Sequence, residues 1–286
     1  MSEKPETKKR SARKQRVITG AILAAALIVV LAIGGWVASI AIMLCLLLAV
    51  HEEHNALRQG GHHPVSWINY AALVIAAPLM LNYSYVALVP LMLLMCLCTL
   101  FAVMIRKEPD LNDILYSLLP LFSLVVPGMC LFGLFNTQPR VLQLMLLVFV
   151  FTTSAGGDML AYFVGSAVGG PKLCPQISPN KTIAGAIGGL AGSVIITVLA
   201  GLIFRLVSPE FFAGGPPLWA NALVGLVGGV AAQLGDLFAS MVKRHCKVKD
   251  FGHIFPGHGG MMDRLDSIVF TSVVIYCYRM ILLGLA

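Results

Sequence analysis

Hydrophobic positions in this chain come in long runs rather than in the stripes of a helix with one wetted face. From Val17 to Val50 hardly a polar side chain interrupts the sequence. A membrane-crossing helix needs about 20 such residues to span about 30 Å of hydrocarbon. As a single helix this run would reach about 51 Å at about 1.5 Å per residue, so it must fold back, near Gly34 and Gly35. The run from Ile68 to Ile105 divides in the same way, with a turn at Asn82, Tyr83 and Ser84. Polar punctuation separates further spans near 112–135, 141–163, 182–205, 217–240 and 265–286. The pattern predicts an all-α, polytopic transmembrane helical bundle of about nine spans. It divides into a basic tail (1–16), N-terminal transmembrane helices (17–150) and a C-terminal transmembrane domain (151–286) carrying polar loops at 165–181 and 241–264.

Composition excludes an ordinary soluble domain. The chain is 58% hydrophobic and 12% charged, against about 25% charged in soluble proteins. Its opening resembles a secretory signal in order, basic then apolar, but the apolar run far outlasts the 7–15 residues of such a segment. An uncleaved first span is expected. Cytoplasmic loops carry the excess of Lys and Arg. With nine spans and the N-terminus inside, seventeen of the twenty basic residues fall on the inner side, and only Arg140, Arg205 and Arg279 lie at outer ends. The N-terminus is therefore expected in the cytoplasm. The net charge of +7 is then mostly a topology signal with some attraction for anionic lipid head groups, and points to no nucleic acid partner.

Several features are silent about chemistry. The seven cysteines are scattered without zinc or disulfide spacing. Trp36, Trp67 and Trp219 sit near span ends, as interface anchors do. In "HEEH" (51–54) the histidines are three apart, where a zinc-protease helix needs four, and the stretch reads as the start of a solvated loop. His245 and His253 read as solvated loop residues as well.

The acidic residues change the picture. Asp158 interrupts the sixth span and Asp236 lies near the inner end of the eighth. A carboxylate at membrane depth costs about 2.5–3.5 kcal/mol and so faces a partner or a wet cavity. The polar loops beside them offer both. "GGPKLCPQISPNKT" (169–182) contains Ser178 before Pro179, an N-cap followed by proline at the first helical position, so the seventh span is expected to begin there. The ninth begins near Asp263, after Gly257, Gly259 and Gly260. Both helix N-termini face the cytoplasm and, with Lys181, Lys243, Arg244, Lys249 and Arg264, make an anion pocket suited to phosphate. Carboxylates in that pocket need a cation between them and the phosphates. Asp236, Asp263 and Asp266 are hard oxygen ligands suited to Mg²⁺, which takes one or two carboxylates plus substrate phosphates. Asp236, Ser240 and Lys243 share a helix face, as do Asp263 and Asp266. The glycines after His258 would let the backbone approach a substrate, or merely break a helix.

The stretch "SMVKRHCKVKDFGHIFPGHGGMMDRLD" (240–266) closely resembles the motif of the phosphatidate cytidylyltransferases, or CDP-diacylglycerol synthases. "QLGDLFAS" (233–240), "GDMLAYFVG" and "ISPNKTIAG" are similar to two further blocks of that family, so the resemblance covers about 157–267. Leu160, where the family often has a small residue, Ser166, near a family Lys, and Ala184, where it has Glu, depart from the pattern.

The resemblance implies transfer of CMP from CTP to phosphatidic acid, giving CDP-diacylglycerol and pyrophosphate. It implies Asp236 and Asp263 as ligands of Mg²⁺, with a second cation beside it. Lys243, Arg244, Lys249 and Arg264 would hold triphosphate or lipid phosphate, with Ser178, Lys181, Thr182 and Ser240 contributing. Asp158, Asp250, His258 and Asp266 complete the expected catalytic set, His258 for phosphate contact or protonation of the leaving group. The attacking lipid phosphate is mostly ionised near neutral pH, its second pKa being about 6, so alignment and charge neutralisation carry the catalysis. A cavity at the inner membrane boundary would admit CTP from the cytosol and membrane lipid sideways, with Asp236 about 10 Å below the loop. Two other readings stand beside this one: a CTP-dependent lipid-alcohol kinase and an ion-coupled transporter. Length and tail suggest a bacterial inner membrane. Whether protomers pair as a homodimer the residues leave open.

Overall fold

Each apolar run becomes helix in the computed structural model, which describes residues 5–83, 88–212 and 216–284. Helices α1 (Pro5–Ile33) and α2 (Gly35–Gln59) part at Gly34, whose φ of 65° suits glycine and whose hydrogen faces the Arg140 guanidinium with no room for a side chain. Thr19 on α1 donates to the Pro256 carbonyl at 3.2 Å, and Glu52 on α2 accepts from the Met262 amide at 2.8 Å. Both helices thus reach one loop, and the chain reverses at Gly34 and Gly35 as its length requires. Next come α3 (Ser66–Tyr83) and α4 (Leu88–Met104). Ser84 of the expected turn and most side chains of the basic tail lie outside the described residues.

Helix α5 (Leu111–Pro120) passes through a π-turn at Leu121–Val125 into α6 (Val126–Phe135), and α7 (Arg140–Phe151) through another at Thr152–Gly156 into α8 (Gly157–Val168). The remaining helices are α9 (Ile183–Val207), the short α10 (Pro209–Phe212), α11 (Leu218–His245) and α12 (Met262–Gly284). Among the described residues six stretches are long and apolar enough to cross a membrane: Gly35–Gln59, Leu111–Phe135, Arg140–Val168, Ile183–Val207, Leu218–His245 and Met262–Gly284. Val17–Ile33 and Leu88–Met104 are apolar but shorter, and α3 is diluted by Asn69, Pro78 and Asn82. Trp36, Trp67 and Trp219 are each the second residue of a helix and well exposed.

The fold departs from pure helix at one point. β1 (Lys172–Cys174) and β2 (Ser178–Thr182) form an antiparallel hairpin with Lys172 opposite Thr182 and Cys174 opposite Ser178. The expected helix start at Ser178 is therefore corrected: α9 begins at Ile183, capped by Thr182, whose hydroxyl accepts from the Gly185 amide at 3.0 Å. Pro179, read as a first helical position, sits instead in a two-stranded hairpin, where every strand is an edge and a missing N–H is tolerated. Gly169 and Gly170, with φ of 67° and 93°, turn the chain out of α8. Because α8 runs to Val168 and α11 to His245, the two polar loops shrink to 169–182 and 246–261.

The "HEEH" reading also needs correcting. Helix α2 continues through it, leaving His51 exposed but Glu52, Glu53 and His54 only 4%, 0% and 0% exposed. Packed neighbours supply their partners: Ser123 donates to Glu53 at 3.0 Å, and Asn69 meets His54 Nε2 at 3.2 Å.

In the C-terminal half, α8, α9, α11 and α12 pack through small residues. A Cβ on Gly225 would stand 2.8 Å from the Ser193 carbonyl, and one on Gly235 would strike that of Asp266. Such contacts let backbones approach where lipid offers no hydrophobic driving force. The π-turn before α8 interrupts the regular hydrogen-bond ladder, and the Thr153 carbonyl accepts from Ser193 on α9 at 3.0 Å. Asp158 follows in the first turn of α8.

Candidate active site

Helices α8, α9 and α11, with the hairpin, enclose a cavity of about 700 Å³. Asp158, Tyr162, Lys172, Asn180, Lys181, Thr182, Gln233 and Asp236 line it. At its wall Lys181, from β2, forms an ion pair with Asp236, from α11. Gln233, one turn before Asp236, donates to the Ala186 carbonyl at 2.9 Å and so fixes α11 against α9. Asp236 acts electrostatically on Asp158 on one side and on Asp266 on the other. Partly exposed charge of both signs among apolar helices makes this a place for a charged group attached to an apolar one.

The loop 246–261 builds a second cavity, of about 520 Å³, lined by Lys249, Asp250, His253, Phe255, Pro256, Gly257, His258, Gly259 and Arg264. Phe255 pairs with Gly259 in a tight turn, and the φ of 77° at Gly257 and 80° at Gly259 explains the glycines there. The His258 ring packs toward Gly20 on α1.

Two buried carboxylates hold this loop. Asp263 Oδ1 accepts from Lys243 Nζ at 2.7 Å, and its Oδ2 accepts from the amides of Phe251 and Gly260 at 2.9 and 3.0 Å. Lys243 also stands 5.4 Å from the centre of the Phe251 ring. Glu52 accepts from the Met262 amide, which opens α12. The glycines of the motif meet these carboxylates: a Cβ on Gly259 would lie 2.7 Å from Asp263 Oδ2, and one on Gly252 or Gly260 would collide with the Glu52 carboxylate. These glycines thus leave room for the protein's own carboxylates.

The expected residues separate accordingly. Asp158, Lys181, Thr182 and Asp236 gather at the first cavity, and Lys249, Asp250, His258 and Arg264 at the second. Asp266 is buried, with one oxygen taking the Ser267 amide at 2.8 Å. Asp263, expected beside Asp236 as a cation ligand, accepts from Lys243 through Oδ1 and from two loop amides through Oδ2. Lys243 gives one of its three N–H donors to Asp263. Ser178 pairs within the hairpin and does not line the first cavity, and Arg244 lies exposed, its Nε 3.4 Å from the Ile177 carbonyl. Ser240 is half-buried on α11 and lines neither cavity. His245, although exposed, is tied to Tyr116 at 2.7 Å and His62 at 3.0 Å, and His253 lines the second cavity. Sequence reasoning missed Glu52, Gln233 and Tyr162. Two adjacent glutamates directly after an apolar run were the available signal for Glu52; nothing local marks the others.

No three His, Cys, Asp or Glu side chains among the described residues gather closely enough to hold a metal ion by themselves. The donor set fits Mg²⁺ only with phosphate oxygens completing its shell, which is how that ion is commonly held.

Comparison with known proteins identifies the family. The model of the cytidylyltransferase family matches residues 14–282. A protein of Synechocystis named phosphatidate cytidylyltransferase is 30% identical over 301 residues, covering 94% of this chain and 97% of its own length. Proteins of the same name from Brucella abortus and Bacillus subtilis are 39% and 40% identical over 132 and 129 residues. Those two matches cover 46% and 45% of this chain, and the chain spans about half the length of these relatives, 46% and 44%. A match over nearly the whole sequence, together with an integral-membrane bundle that holds paired charges at its helix ends, places this chain in the cytidylyltransferase family.

Proposed function

We propose that the chain transfers CMP from CTP to phosphatidic acid, forming CDP-diacylglycerol and pyrophosphate. The observation that carries this reading is the Lys181–Asp236 ion pair in the wall of a cavity that also holds Asp158. An oxygen of the lipid phosphate attacks the α-phosphorus of CTP; the new P–O bond forms as the bond to the β-phosphate breaks, and pyrophosphate leaves. The nucleophile is already ionised, so no side chain has to remove a proton. The barrier is the approach of one anion to another, and fixed positive charge lowers it. Lys181 holds phosphate at the first cavity, while Lys249 and Arg264 hold it at the second, with His258 beside them. Asp236, with Asp158 or Asp266, would hold Mg²⁺, which would supply compact positive charge to offset that of the phosphates. In this reading Asp263 serves the site through the loop it anchors.

Purified protein given Mg²⁺, labelled CTP and phosphatidic acid is expected to release pyrophosphate and form a labelled CDP-lipid in equal amounts. Formation of CDP and a phosphorylated lipid alcohol, or no nucleotide turnover at all, would overturn the assignment.

The same reading has nine crossings of a bacterial inner membrane, with the N-terminus and both cavities on the cytoplasmic side. Nine long helical stretches among the described residues and the clustering of Lys and Arg support it. In a background whose seven native cysteines are replaced, a cysteine at Lys247 should resist a membrane-impermeant thiol reagent in intact cells, and one at Gln138 should react. The reverse pattern would invert the topology.

A further inference from the structure

We infer that Glu52, from the N-terminal half of the chain, is a positioning residue for the phosphate-holding loop, an inference that rests on the reaction proposed above. Glu52 lies on α2, far in sequence from the loop, and is 4% exposed. One oxygen accepts from the Met262 amide at 2.8 Å, satisfying one of the N–H groups that every helix leaves unpaired at its start. Its negative charge also suits the positive end of α12. The other oxygen is buried without a hydrogen-bond partner and is wedged between Gly252 and Gly260. An unpaired buried carboxylate oxygen is costly, and what this one provides in the structure is the wedge between the two glycines. Neither glycine has a positive φ, so close approach of Glu52, and not backbone conformation, requires them.

The arrangement is a clamp. Asp263 grips the amides of Phe251 and Gly260 from within the motif, while Glu52 presses on Gly252, Gly260 and Met262 from outside it. The segment between these grips carries His253 and His258, and Lys249, Asp250 and Arg264 flank it; all five line the second cavity. Glu52 does not line that cavity, so it acts through the loop and does not touch substrate.

The test uses the full chain in detergent, with Glu52→Ala and Glu52→Gln. In Glu52→Ala, the amides of 251–262 should exchange hydrogen faster than in wild type while those of α9 and α11 keep their protection. Its kcat/KM for CTP should fall about tenfold or more, with a raised KM. Glu52→Gln, whose amide oxygen can still accept from Met262 and whose shape fills the same notch, should stay within about threefold of wild type. Gly252→Ala, which crowds the carboxylate from the opposite side, should reproduce the loss and serves if Glu52→Ala fails to fold. Adding Glu52→Ala to Gly252→Ala should cost little more, because both break one contact. Unchanged loop exchange, a lowered thermal midpoint with wild-type kcat and KM, or additive losses in the double variant would each overturn the inference. A wild-type chain that made no CDP-lipid would sink the proposed reaction instead, and the exchange measurement would still decide whether Glu52 holds the loop.

Discussion

Asp236→Asn is expected to lower CDP-lipid formation by about a hundredfold or more, the scale on which single preorganised electrostatic groups contribute to catalysis. The substitution keeps the side chain's shape and removes its charge. Two things are lost together: the partner of Lys181 across the first cavity, and the carboxylate whose field reaches both Asp158 and Asp266. Because α11 is held against α9 independently, through Gln233 and the Ala186 carbonyl, the fold should survive. The variant should therefore show a wild-type thermal midpoint, a collapsed kcat, and a higher Mg²⁺ concentration for half-maximal rate. Turnover at the wild-type rate, or loss of activity only through unfolding, would remove Asp236 from the chemistry.

Asp263→Ala should fail in a different manner. Its carboxylate side chain is 4% exposed and that of Lys243 is 15% exposed, and breaking a buried pair by deleting one partner costs about 3–5 kcal/mol. The amides of Phe251 and Gly260 lose their acceptor in the same step. A large drop in thermal midpoint is expected along with the loss of activity. Lys243→Met in the Asp263→Ala background should recover part of the stability, since it removes the uncompensated charge, without recovering turnover. If Asp263 acted instead as a cation ligand, its loss would raise the Mg²⁺ requirement and leave the midpoint near wild type. The two aspartates, alike in sequence context, are thus separable by calorimetry and a metal titration.

The legibility of the chain follows from which forces are local. Runs of apolar residues bounded by polar ones are set by the cost of placing backbone and side chains in lipid, so the helices between Val17 and Gly284 could be read as elements, including the break at Gly34 and Gly35, although several of their ends could not. Positions in the motif could be read as chemically unusual for the same reason: charge and glycine are expensive among apolar helices. Errors came where a local signal has two structural meanings. Ser178–Pro179 satisfies the rule for a helix start and equally the rule for an edge strand, and only pairing with Lys172–Cys174 chose between them. The end of an apolar run at His51 is the natural place for a loop, yet Ser123, Asn69 and Met262 supply polar partners from distant segments, so the helix continues.

By itself, the amino-acid order determined a helical membrane protein, its two polar segments, and the family resemblance that they carry. Tertiary structure alone decided which carboxylate faces which cation: Asp236 meets Lys181, while Asp263 turns to Lys243 and, with Glu52, clamps a glycine-rich loop. The reason is that hydrophobic runs are recognised against lipid one segment at a time, whereas a buried charge takes its role from whatever donor another segment brings within about 3 Å of it.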